Sequence, residues 1–162
     1  MRYKSHHAAN YINEHLGTAE IAVVLGSGLG DFVGNLENSE CISYSDIPEF
    51  PVSTVPGHAG KLWIGTLHGK RVFIMQGRFH YFEGYKLNDI AMYVRVFKLL
   101  GVKTLILTNA AGCVNLDWKA GDLMILNDFI NYTGRNPLIG ENRDEFGPRF
   151  PDMTYVYTPS LI

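Results

Sequence analysis

The sequence predicts an α/β fold built on a mixed β-sheet flanked by helices. Three features carry this expectation: an apolar strand running into a glycine loop, a hairpin pattern over 62–75, and a strand, helix and strand in succession from Arg71 to Thr108. Ile21-Ala22-Val23-Val24-Leu25 is apolar throughout and rich in β-branched residues, the pattern of a strand buried on both faces. Gly26-Ser27-Gly28-Leu29-Gly30 follows it, and Asp31 to Leu36 reads as a short helix or turn. From Ile47 to Gly57, Pro48, Pro51 and Pro56 exclude both helix and central strand, so an extended surface segment is expected. Leu62–Leu67 and Arg71–Met75 flank His68-Gly69-Lys70, a hairpin with a three-residue connection. Lys86 to Leu100 places Leu87, Ile90, Ala91, Val94 and Phe97 at helical spacing, with Gly101 as the stop. Thr104–Thr108 resumes a strand closed by Asn109-Ala110-Ala111-Gly112, and a further strand is expected over Leu123–Leu126. A crossover between parallel strands through the 86–100 helix follows from this order. Beyond Tyr132, glycines and prolines from Gly134 to Pro159 punctuate a stretch without a periodic apolar face, so no further core element is predicted there. A sheet ending this way lacks a covering layer for its last strand, and the sequence reads as truncated at its C-terminus.

The 162 residues predict a single domain over 1–162. Apolar residues at 46% against charged residues at 19% place the chain among globular proteins rather than disordered ones. A formal charge of −2 provides no global basic field, so neither nucleic acid nor membrane is an expected partner and any anion site must be local. Cys41 and Cys113 stand far apart and fit reduced thiols better than a disulfide scaffold or metal motif. The N-terminus shows no secretory pattern, and the longest apolar candidate for a span, Val94 to Leu107, is interrupted by Arg95, Lys98 and Lys103. A cytoplasmic location is expected.

A glycine-rich loop after a strand can converge backbone N–H groups on an anion, with the Ser27 hydroxyl as a further donor, although the same loop is often only a turn. The dinucleotide fingerprint fails because Asp31 stands where its third glycine belongs, and no Gly-Lys-Ser/Thr marks a P-loop. Gly at position 25 would be needed for a nucleophile elbow, and Leu25 stands there, so Ser27 reads as a ligand donor rather than a nucleophile. Arg78 and His80, two apart at the end of an apolar strand, leave on one face if the strand continues and can converge on one ligand. A guanidinium suits a pair of phosphate oxygens, and Glu83 is near enough to orient His80. The alternative is an exposed strand end of no consequence. His58 occupies a glycine-flanked loop, Gly57-His58-Ala59-Gly60. His58, His68 and His80 lack the close pairs of compact zinc sites, and no metal is expected.

Taken together, Val24–Gly30, Gly57–Gly60, Gln76-Gly77-Arg78-Phe79-His80-Tyr81-Phe82-Glu83-Gly84 and Thr108–Gly112 resemble the trimeric, low-molecular-mass purine nucleoside phosphorylases in motif, order and spacing. Asn136–Gly140 and Asp144–Phe150 extend the likeness. The resemblance implies a twisted mixed sheet of the phosphorylase type. It also implies reversible phosphorolysis of purine ribo- and deoxyribonucleosides to free base and pentose 1-phosphate, with inorganic phosphate as a substrate and no cofactor. It assigns phosphate binding to Ser27, His58, Arg78, Phe79, His80 and the backbone N–H of Ala110, and a catalytic role to His80 and Glu83. Phe82 and Phe146 fall at nucleoside-contacting positions, Phe146 reaching into a neighbouring subunit of a homotrimer. Phe82 departs from the tyrosine common in the family, which removes one sugar contact. The family's later segment, with its purine-binding residues, lies beyond Ile162. The second reading is therefore an inactive nucleoside- or phosphate-binding fragment of such an enzyme, and a nicotinamide-dependent oxidoreductase ranks last.

Overall fold

A computed structural model describes residues 4–52 and 59–162. The chain falls into two compact units, Met1–Ala110 and Ala111–Ile162.

The first unit opens with a helix, α1 (Lys4–Leu16), that the sequence reading did not assign. Ser5, Ala8, Ala9, Ile12 and Leu16 are its buried residues, a helical stripe hidden by its small and polar membership. Next comes strand β1 (Ile21–Leu25), and the 31–36 turn proves to be a 3₁₀ turn over Gly30–Asn35. A second unassigned element, β2 (Glu37–Ser43), is exposed along most of its length and carries no apolar alternation to betray it. Ile47 and Phe50, read as part of a surface segment, are instead buried, because the chain turns inward around Tyr44. The remainder of that segment from Ser53 to Gly57 lies outside the described residues.

Strands β3 (Lys61–Leu67) and β4 (Lys70–Gln76) form the expected hairpin, with one correction. Leu67 pairs with Lys70, so the connection is the two residues His68-Gly69, at φ of 47° and 74°. Positive φ at both positions is the type I′ geometry whose twist matches that of the flanking strands.

The 86–100 helix divides at Ala91 into α2 (Leu87–Ile90) and α3 (Met92–Leu99). Its end is as predicted. Gly101 adopts a φ of 82°, its N–H donates to the Lys98 carbonyl and that of Val102 to the Phe97 carbonyl, the paired bonds of a Schellman cap. Strand β5 (Thr104–Leu107) follows.

The sheet order is β2-β3-β4-β1-β5. β1 runs parallel to β4 and β5, while β2, β3 and β4 are antiparallel neighbours, so the sheet is mixed as expected. The crossover through α2 and α3 carries the chain from β4 over β1 to β5. On one face, Ala22, Val24, Leu62, Ile64, Phe73 and Met75 pack with Ile12 of α1 and with Val96 and Phe97 of α3. On the other, Leu25, Val72 and Ile74 are buried among half-buried Val23, Trp63 and Val33.

The second unit is built from turns, with a single 3₁₀ turn at Pro159–Leu161 among its described elements. No strand forms over Leu123–Leu126, which corrects the sequence reading: Leu123 is 97% exposed, and an apolar run becomes a strand only where a partner ladder takes up its backbone groups. Side chains close local turns instead. Thr133 and Thr154 donate hydroxyls to Asn131 and Asp152 at 2.6 Å each, and Asn131 Nδ2 donates to the Arg135 carbonyl at 2.9 Å.

Candidate active site

Three chain segments emerge at the carboxyl ends of β1, β4 and β5, where open α/β sheets collect ligands. After β1, the Leu29 N–H donates to the Gly26 carbonyl, closing a turn with exposed Ser27 near its tip. Gly26 itself is buried and pressed against the end of β5. A Cβ on it would stand 2.7 Å from the Thr108 carbonyl oxygen and 2.8 Å from Asn109 Cα, so only glycine fits. Its N–H donates to Thr108 Oγ1 at 2.8 Å, and that hydroxyl donates to the Val24 carbonyl at 2.9 Å.

After β4, Gly77 turns the chain at a φ of 96°. Arg78 and His80 are therefore not successive outward positions of a continuing strand, which corrects the expected route; a loop brings them together. Arg78 Nη1 donates to the Thr108 carbonyl at 2.8 Å, and its Nε faces His80 Nε2 at 3.4 Å. His80 Nδ1 lies 2.9 Å from Glu83 Oε2, which also accepts the His80 backbone N–H at 2.8 Å. A carboxylate can only accept, so the ring carries its hydrogen on Nδ1 and presents Nε2 toward Arg78. The Glu83 side chain is 2% exposed and that of His80 19%, so the acid is buried and the imidazole reaches the surface. Phe82 stacks on His80 at 4.8 Å between centroids and is itself 76% exposed.

Phe79 faces the other way. It is buried against Tyr44 and Phe50, with centroids at 5.3 and 5.4 Å, and Tyr44 donates its hydroxyl to the Gly77 carbonyl at 2.8 Å. Any contact of Phe79 with phosphate is thus a backbone contact. Burial raises the Tyr44 phenol well above its ordinary range, keeping it a donor to Gly77.

Ser27, Arg78, His80, Glu83 and Ala110 thus all follow the carboxyl ends of three neighbouring strands. His58 lies outside the described residues. Phe146 belongs to the second unit, half-buried, with its N–H donating to the Arg143 carbonyl at 2.9 Å. The sequence reading gave Thr108 and Gln76 no role of their own. Gln76 accepts from Trp63 Nε1 at 2.8 Å and donates to the Gly30 carbonyl at 2.9 Å, tying the glycine loop to the hairpin. The signal was present: each is a polar residue directly after an apolar run, Val72–Met75 or Leu105–Leu107. Among the described residues no cluster of three or more His, Cys, Asp or Glu forms a metal site, and no helix is long and apolar enough to cross a membrane.

The family model described as the phosphorylase superfamily matches residues 20–162. The chain belongs to this superfamily. Within the phosphorylases, it is 52% identical over 162 residues to purine nucleoside phosphorylase 1 of Bacillus subtilis, covering 99% of this chain and 60% of that protein. It is 50% identical to the Bos taurus purine nucleoside phosphorylase over 141 residues, covering 85% of this chain and 49% of the relative. Among solved phosphorylase structures, isoform 2 of the Schistosoma mansoni purine nucleoside phosphorylase, in complex with cytosine and ribose-1-phosphate, matches at a TM-score of 0.88 and 42% identity, covering 98% of this chain and 57% of that one. The resemblance read from the motifs is borne out, and the chain spans about half to three-fifths of the length of these relatives.

Proposed function

We propose that residues 1–162 form the phosphate-binding part of a single phosphorylase-type domain in a cytoplasmic purine nucleoside phosphorylase. The observation that carries this reading is the convergence of the Gly26–Gly30 loop, the Arg78–His80–Glu83 chain and the Thr108–Ala110 strand end at one edge of the sheet. Ser27, Arg78, His80 and the Ala110 N–H would supply donors to phosphate, with His58 and the Phe79 backbone completing the set. Phosphate enters as substrate, and the reading calls for no cofactor.

In the reaction, a phosphate oxygen forms a bond to the anomeric carbon as the bond from that carbon to the purine nitrogen breaks. The purine leaves with the bond's electron pair and takes up a proton. The sugar passes through a cationic state, so a phosphate dianion held beside it supplies both positioning and charge stabilisation. Glu83 fixes the His80 ring through Nδ1; Nε2, which accepts from Arg78 in the free site, would donate to the anion once it too carries a hydrogen. Phe82, stacked on His80, would meet the sugar, and Phe146 would complete the nucleoside pocket of a neighbouring copy in a homotrimer.

Phosphate-dependent cleavage of inosine, with appearance of ribose 1-phosphate, is the test. Binding of nucleoside or phosphate without turnover is the second reading. Phosphate binding with no inosine cleavage would select it, and absence of both would reject the assignment of the site.

A further inference from the structure

Every polar group of Thr108 is engaged, and each bond reaches a different part of the site. The backbone N–H donates to the Val24 carbonyl at 3.1 Å, continuing the β1–β5 ladder one residue past its last pair. The hydroxyl donates to that same carbonyl at 2.9 Å and accepts the Gly26 N–H at 2.8 Å. The carbonyl accepts Arg78 Nη1 at 2.8 Å. Gly26 is the first residue of the glycine loop, Arg78 lies two residues past β4, and Ala110 lies two residues on from Thr108. One half-buried threonine thus holds the ends of β1, β4 and β5 in a fixed relation.

We infer that Thr108 is a brace for the carboxyl-end site and, on the phosphorylase reading above, a positioning residue for phosphate. Its hydroxyl sets where the glycine loop begins, and its carbonyl sets the direction of the Arg78 fork. A guanidinium has five N–H donors, so engaging the Thr108 carbonyl leaves it able to grip an anion in a chosen orientation. Without the hydroxyl, the buried Gly26 N–H loses its acceptor and the loop must shift to find another. Thr108 need not touch phosphate for this, because it acts through Gly26 and Arg78.

The test uses the 162-residue chain and two substitutions. Thr108→Val keeps the shape and removes the hydroxyl, while Thr108→Ser keeps the hydroxyl and removes the methyl. Calorimetric titration with inorganic phosphate should show Thr108→Val binding about tenfold more weakly than the parent, and Thr108→Ser within about twofold of it. Amide hydrogen exchange adds a readout independent of phosphate. The Gly26 N–H should exchange faster in Thr108→Val and remain protected in Thr108→Ser, with Phe73 in the centre of the sheet protected in both. Should Thr108→Val fail to fold, Thr108→Ala takes its place with the same expected pattern.

Equal phosphate affinity in the parent and the hydroxyl-less variant overturns the positioning role, as does a loss in Thr108→Ser matching that in Thr108→Val. Unchanged Gly26 exchange overturns the brace itself. If the parent does not bind phosphate, the reading of the site fails and the role toward phosphate with it, while Gly26 exchange still decides the brace.

Discussion

Two arginines stand at opposite ends of β4, and each gives a hydrogen bond to one backbone carbonyl. Arg71, at the amino end, donates from Nη2 to the Leu16 carbonyl at 2.9 Å; Arg78, just past the carboxyl end, donates from Nη1 to the Thr108 carbonyl at 2.8 Å. The first caps the last turn of α1, where a cation meets the helix's unpaired carbonyls. The second faces an imidazole fixed by a buried glutamate and a loop that only glycine can enter. Near the amino end Glu20 pairs with Lys103 on the surface, at exposures of 70% and 72%. On the proposed function, the same bond serves packing at one end of the sheet and ligand geometry at the other. What distinguishes them is the surroundings of the guanidinium, not its own contact.

Substitutions at the two ends should separate these roles. The largest effect is expected from Gly26→Ala: the added carbon overlaps backbone atoms of Thr108 and Asn109, so both stability and phosphate binding should fall, stability by about 1–3 kcal/mol in urea denaturation. Arg78→Ala should follow. It removes a charge-assisted donor, weakening phosphate binding by roughly tenfold to a hundredfold in calorimetry with a smaller change in melting temperature. Arg78→Lys should not restore it, because an ammonium lacks the fork. Arg71→Ala reverses the pattern, losing about 1 kcal/mol of stability while phosphate binding stays at the parent value. A phosphate defect in Arg71→Ala would break the division between the two ends.

The smallest effect belongs to Glu20. The hydrogen bond and charge of Lys103 hold its carboxyl below the ordinary value of 4.5. A carboxyl depressed in the folded state adds stability above its unfolded value, and that contribution disappears as pH falls through the folded one. Glu20→Gln should therefore leave neutral stability almost unchanged and slightly flatten acid denaturation below about pH 4.5, seen by circular dichroism. A large neutral-pH loss would assign the amino end more than packing.

The sequence disclosed elements whose apolar pattern matches a period, and concealed those held by context. β1, the hairpin, the 86–100 helix and β5 all carry such patterns. Helix α1 hides because most of its buried stripe is serine and alanine, and β2 hides because an edge strand exposed on most residues needs no alternation. The false strand over Leu123–Leu126 shows the reverse: apolar content without a ladder. Of the site, Arg78, His80 and Glu83 were legible from spacing, but their convergence was attributed to strand alternation when Gly77 and the Thr108 carbonyl produce it. Thr108 itself lies within a motif whose asparagine and alanines drew attention as a place for close ligand approach. Only the packed backbone reveals that the threonine holds the strand ends together.

Both partners that hold Arg78 are electrically neutral, a peptide carbonyl and the lone pair of an Nδ1-protonated imidazole. Glu83, the nearby acid, is turned onto the histidine instead. The guanidinium charge is thus oriented by neutral partners, with the Glu83 carboxylate one imidazole away; at Tyr93, where burial raises the phenol, Arg78 pulls in the opposite direction. On the proposed function, an approaching oxyanion would meet no carboxylate bonded to Arg78 among the described residues. Its association rate should accordingly drop as salt shortens the Debye length from about 30 Å at 0.01 M to about 10 Å at 0.1 M, while the release rate, set by short hydrogen bonds, changes far less.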